Sequence, residues 1–172
     1  VLVVGINQYR AGLNRHPNGP DVERLVTRAA LLSFGFMLRK GAVDLLDISE
    51  QELNVGVRSI PDPNGDVIGQ VFLSDALENG AGYSRKFGEP AQLEGLIRYI
   101  SDFDQDFVKI LTSSSHKRDC YTSCPDCLRD FNNLQFHPIL DWRLGLDLAR
   151  LSLDPNCKLD FTIPYWKGLD ET

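Results

Sequence analysis

Much of what organises other chains is missing from these 172 residues. No run approaches the roughly 18 apolar residues a membrane span needs; the longest unbroken apolar stretches, such as VLVV and AALL, hold four. No basic amphipathic segment offers a membrane-surface face either, so no membrane partner is expected. A GxxxxGK[ST] loop is absent, which removes the usual phosphate cradle for ATP. No serine or cysteine stands in a nucleophile elbow, and no H-x-E motif exists to complete a deaminase zinc signature. Positive charge is short: 18 Lys and Arg against 24 Asp and Glu leave a net charge of −6. That balance excludes a stand-alone, charge-driven nucleic-acid binder, though not a module touching DNA at one patch inside a larger assembly. Cysteine is scarce and unevenly placed, with three of four at 120, 124 and 127 and the last at 157. Neighbours that close pair awkwardly and there is no secretory signal, so a reduced, cytoplasmic setting is expected.

What is present describes an ordinary folded domain, 42% hydrophobic and 24% charged. The chain opens on VLVVGINQYR without Met or a targeting region and reads as a buried strand cut from a longer polypeptide. Residues 7 to 20 are loop, and Pro20 and Asp21 sit where a helix should start. Val22 to Leu46 is apolar almost all round, predicting a central buried helix that Gly35 and Gly41 kink or divide. LNVGVRSI and DVIGQVFL flank the turn signal PDPNG and predict a β-hairpin. Helical spacing returns over residues 90 to 112, and TSSSH reads as the loop that ends it. HPILDWRLGLDLARLSLD predicts an amphipathic helix with Pro138 in its first turn. On it, Arg143, Asp147, Arg150 and Asp154 form a polar stripe, the arginines pairing with Asp147. The tail LDFTIPYW suggests an edge strand. The class is α+β, one domain over 1–172: a small mixed or antiparallel sheet packed by several helices, with a compact zinc knuckle (116–137) between two of them.

Residues 116 to 127 place one histidine and three cysteines within twelve positions. Cys124-Pro-Asp-Cys127 is a C-x2-C knuckle, the spacing that lets two thiolates grip one Zn2+ while the backbone turns between them. Cys120 supplies a third ligand. For the fourth, His116 pairs with Cys120 at i, i+4 beside a helix end; His137 is the alternative, and Cys157 the least convenient. Buried thiols or a redox C-x-x-C are the competing readings. The first fits poorly beside Lys117, Arg118, Asp119, Asp126 and Arg129, and the second lacks its strand-then-helix setting. Three thiolates and an imidazole make a closed, electron-rich site, so the metal is expected to be structural and not catalytic.

CYTSCPDCLRDFNNLQFHPILDWRLGLDLA, with AVDLLDISEQELNVGV and FLSDALENGAGYSRKFG upstream, resembles the zinc-binding domain that closes MrfA-type DNA-repair helicases. It looks closest to helicase-associated proteins of phage-defence systems, such as the DrmB protein of DISARM. The resemblance covers roughly residues 22 to 153 and places Cys120, Cys124 and Cys127 on the family's zinc cysteines. The family's frequent fourth cysteine is absent, so a histidine must replace it. It implies a non-ATPase module that follows or packs against a superfamily-two helicase core, in cis or in trans, and helps guide DNA, single-stranded or duplex. Lys117, Arg118 and Arg129, with Tyr121 between them, are the basic-aromatic group suited to phosphates and a stacked base; their alternative is a solvated face paired to Asp119, Asp126 and Asp130. A protein–protein docking scaffold with no DNA contact is the second functional reading. ENGAGY offers a weak phosphate-binding loop, and Asp75 ahead of it reads first as a turn-capping aspartate, with a hydrolytic role the remote alternative.

Overall fold

The long apolar segment forms one unbroken helix, α1 (Val22–Leu46), capped by Asp21, whose side chain accepts the Arg24 amide at 3.0 Å. Every residue from Leu31 to Arg39 is buried. In this computed structural model, which describes residues 1–6, 12–77, 80–159 and 162–167, α1 is the axis around which the rest packs. Among those residues the chain is α+β, with six α-helices and one three-stranded antiparallel sheet.

On one side of α1 lies the sheet. Strands β2 (Leu53–Pro61) and β3 (Val67–Asp75) form the expected hairpin, Leu53 opposite Asp75 and Pro61 opposite Val67. The opening strand β1 (Leu2–Val4) pairs with β3, giving the order β1-β3-β2 and making β1 an edge. Gly35 does not break α1: a Cβ there would sit 2.7 Å from Val55 Cγ1 and 2.9 Å from Val71 Cγ1, so its bareness lets the helix lie close on the sheet. Gly41 serves in the same way toward Ile100.

After β3 come the single-turn α2 (Tyr83–Lys86), then α3 (Pro90–Ser101), α4 (Asp106–Leu111), α5 (Ser114–Asp119) and α6 (Trp142–Leu153). The spacing over 90–112 is thus interrupted at residues 102–105. TSSSH is not only an ending: Ser113 accepts the His116 amide at 3.2 Å and starts α5. Pro138 lies in a 3-10 helix, Phe131–Ile139, and α6 begins later, at Trp142, with Asp141 capping it. The tail forms no strand among its described residues; Thr162–Lys167 is a run of turns, and Asp160 and Phe161 lie outside the described residues.

Those turns fold over the polar stripe of α6, burying Arg143 and half-covering Asp147 and Arg150. Arg143 donates from Nε to the Tyr165 carbonyl at 3.0 Å, and Tyr165 and Trp166 hydrogen-bond Asp147. Arg150 donates to the Tyr165 hydroxyl at 2.6 Å, so the stripe is a clasp for the tail and the arginines do not pair simply with Asp147.

Opposite the sheet, α6 crosses α1 at Gly145, where a Cβ would lie 2.6 Å from Met37 Sδ and 3.0 Å from the Ser33 carbonyl carbon. Gly145→Ala gains up to about 1 kcal/mol of helix propensity but overpacks against backbone that cannot rotate away, a cost of about 1–3 kcal/mol. The second effect is larger, and the variant is expected to lose about 1–2 kcal/mol in urea unfolding.

Candidate metal centre and its surroundings

The sequence from α4 to α6 folds back on itself to converge four side chains. His116 leaves the first turn of α5, and Cys120 is the C-cap residue of that helix, donating its amide to the His116 carbonyl at 2.8 Å. At the C-x2-C turn the Cys124 carbonyl accepts the amides of Cys127, Leu128 and Arg129 at 3.2, 3.1 and 3.0 Å. The Cys124 amide in turn donates to Cys127 Sγ at 3.1 Å. The ligand atoms of His116, Cys120, Cys124 and Cys127 all lie within 4.8 Å of one another.

The spacings within this group suit a tetrahedral ion. With Zn–S near 2.3 Å and Zn–N near 2.05 Å, a tetrahedron sets S···S at about 3.8 Å and N···S at about 3.5 Å. Here Cys120–Cys127 and Cys124–Cys127 are 3.8 and 3.6 Å apart, and His116 Nε2 is 3.5 Å from Cys124 Sγ. Orientation of the imidazole is also determined. Nδ1 faces the Leu111 carbonyl at 2.7 Å, which holds the proton on that nitrogen and leaves Nε2 free to bind a metal. The Trp142 ring backs the imidazole edge-on at 5.5 Å between centroids.

Three thiols crowded this closely cannot all ionise without a cation. Hydrogen bonding from Cys120, against the opposing effect of burial and helped by His116, pulls the Cys127 thiol down to about 4. The same contact, with burial, pushes Cys120 up, and burial foremost raises Cys124. His116 is raised chiefly by its hydrogen bond to Cys127. The donor set itself, three soft sulfurs and one imidazole, is that of a closed structural site.

His137, the alternative fourth ligand, is turned elsewhere: its Nε2 faces Asn133 Oδ1 at 2.7 Å and the Asp130 carbonyl at 3.1 Å. Cys157 follows α6 and takes no part in the group. The expected link from a helix ending near Ser113 to one starting near Pro138 is replaced by a link from α5 to the C-x2-C turn. The amide of Trp142, at the start of α6, donates to Thr122 O at 2.9 Å beside that turn.

The basic-aromatic residues are dispersed around the knuckle. Lys117 donates to the Pro164 carbonyl at 3.2 Å, and exposed Arg118 pairs with Asp119 at 3.0 Å. Arg129 donates from Nε to buried Ser123 Oγ at 2.8 Å, and Tyr121 is exposed. Asp130, expected to neutralise this face, instead reaches across to Arg39 of α1. Sequence reading missed the Leu111 carbonyl, Ser123 and Arg39; a backbone acceptor and a partner 91 positions away carry no local signal.

Among its described residues the glycine-rich loop forms no anion cradle. Asp75 occupies its amides, accepting from Gly82 and Tyr83 on Oδ2 at 2.7 and 3.1 Å and from Ser84 on Oδ1 at 2.8 Å. Burial works to raise the Asp75 pKa, but these hydrogen bonds outweigh it and hold the carboxyl below the ordinary 3.8. A depressed folded value stabilises the fold above the unfolded pKa and loses that contribution as pH falls through the folded one. Asp75→Asn is therefore expected to cost about 1 kcal/mol at neutral pH, and the gap from wild type to narrow in acid below 3.8, read as urea midpoints against pH.

No family model and no solved structure matches the chain. Over 109 residues, 63% of its length, it is 31% identical to Druantia protein DruE of Escherichia coli (strain UMEA 4076-1). The matched stretch is 5% of that protein, so the chain is similar to a small part of a far longer polypeptide. Among the described residues no helix is long and apolar enough to cross a membrane.

Proposed function

We propose that this chain is a zinc-stabilised, non-catalytic module of an anti-phage defence protein. In this reading it works beside a superfamily-two helicase motor, in cis or in trans, and contacts the DNA that the motor moves. The observation that carries it is the convergence of His116, Cys120, Cys124 and Cys127 within 4.8 Å of one another, three of the six spacings tetrahedral, with Nδ1 of the imidazole already committed to Leu111. The similarity to Druantia protein DruE supports the defence setting. The resemblance to the zinc domain of MrfA-type helicases and DrmB supports the motor. Bound zinc would tie α5 to the C-x2-C turn and so hold Lys117, Arg118, Tyr121 and Arg129 on one folded corner. A cytoplasmic, reducing setting suits four cysteines that form no disulfide.

A docking scaffold without DNA contact is the second reading. It is favoured by the net charge of −6 and by the pairing of Arg118 with Asp119. Charge reversal at Lys117, Arg118 and Arg129 together, in the longer protein that carries this module, separates the two. Loss of DNA retention and of phage protection with the assembly intact supports the first reading. Retained DNA binding with a broken assembly transfers the function to docking.

A further inference from the structure

We propose that the nucleic acid this corner holds is single-stranded, with bases stacked on Tyr121 and Phe131 on either side of a phosphate held by Arg129. The inference rests on the DNA reading above and narrows it to a substrate class, adding Phe131 as a binding residue.

Phe131 is 85% exposed and Tyr121 64%, the two most exposed rings among the described residues. Both stand on backbone that is held in place. The Tyr121 carbonyl accepts from the Arg143 guanidinium. Phe131 opens the 3-10 helix whose capping box joins Asp130 and Asn133. The Arg129–Ser123 hydrogen bond ties the chain two residues after Tyr121 to the chain two residues before Phe131. The three side chains therefore project from one braced segment, and ordering them on binding costs little.

Charge decides which nucleic acid fits. Lys117 and Arg118 are engaged with Pro164 and Asp119. Arg129 forms no ion pair among the described residues; its Nε is spent on Ser123, which leaves the fork nitrogens for a phosphate. At this corner one guanidinium without an ion pair, on a chain of net charge −6, is too little to grip a duplex through its phosphates. Stacking on exposed rings needs no such charge, is tolerant of sequence, and is open only to unpaired bases.

The test compares a labelled oligothymidylate of about 12 nucleotides with a blunt duplex of similar length, by fluorescence anisotropy on the zinc-loaded chain. The single strand is expected to bind more tightly, with a shallow salt slope near −1. Tyr121→Ala and Phe131→Ala should each weaken it about tenfold, while Phe131→Trp retains binding. Both rings are exposed, so unchanged metal content and melting temperature show that these variants still fold. Duplex binding as tight as single-strand binding, or binding indifferent to both rings, overturns this inference and leaves the broader DNA reading standing. No binding to either oligonucleotide removes both and assigns the exposed rings to a protein partner.

Discussion

Cys127→Ser is expected to strip the metal from the protein and lower its melting temperature by about 10 °C, a loss of about 4 kcal/mol for a chain of this size. Cys127 is the hub of the group: its sulfur lies within 3.8 Å of Cys120 Sγ and 3.6 Å of Cys124 Sγ, and it receives the Cys124 amide. Elemental analysis of wild type should find about one zinc per chain, and the variant none. His116→Ala should weaken retention, whereas His137→Ala should not, because His137 is occupied with Asn133 and Asp130. The variant is expected to open at α5 and the knuckle while the apolar core of α1 and the sheet stays folded. Zinc loading should also fall toward acid pH, since Cys120 and Cys124 must give up protons to bind.

The second large effect lies where α1 meets the exit of the knuckle. Arg39 is buried, its side chain 6% exposed, and pairs with Asp130, 16% exposed, with Glu50 at 3.6 Å as a further partner. Its guanidinium also sits 4.9 Å above the Phe36 ring. Taking the charge from Asp130 leaves the buried cation with Glu50 as its remaining counter-charge, one already shared with Lys40. Asp130→Asn, which retains an acceptor for the Asn132 amide, should cost about 3 kcal/mol in urea unfolding. Arg39→Met should cost less, about 1 kcal/mol, because Asp130 is nearer solvent and keeps Asn132, while Glu50 keeps Lys40 at 2.7 Å. If Arg39→Met proves the more damaging of the two, the guanidinium's packing on Phe36 matters more than its charge.

Legibility differed by element. The hairpin was plain because PDPNG separates two runs that only a tight turn can join, and the register followed. The central helix was plain from its all-round apolar content, but Gly35 was misread as a break. Helix propensity treats glycine as a weakness, whereas here the missing Cβ is what admits Val55 and Val71. The polar stripe of α6 was misread for a similar reason. Arg143 and Asp147 pattern like a pair on one helix face, yet a tail segment some twenty positions on folds over them. At the metal centre, C-x2-C spacing identified Cys124 and Cys127, and Cys120 was within reach of any turn. His116 was preferred to His137 for its i, i+4 spacing to Cys120, and the structure groups it with the three cysteines; the Leu111 carbonyl that orients its ring carried no signal in the sequence.

By itself, then, the sequence determined the class, the main helix, the hairpin and the three thiols, all features carried by periodicity or short spacing. Which histidine joins them was decided by tertiary structure, through the Leu111 carbonyl that orients His116 and the Asn133 amide that diverts His137. So was the fate of the charges: Asp130 turned inward to Arg39, Asp75 spent on three amides, and Arg129 left with a hydroxyl. The reason is physical. A charge or a ring nitrogen bonds whatever the fold brings within about 3 Å of it, and that neighbour is rarely written close by in the chain.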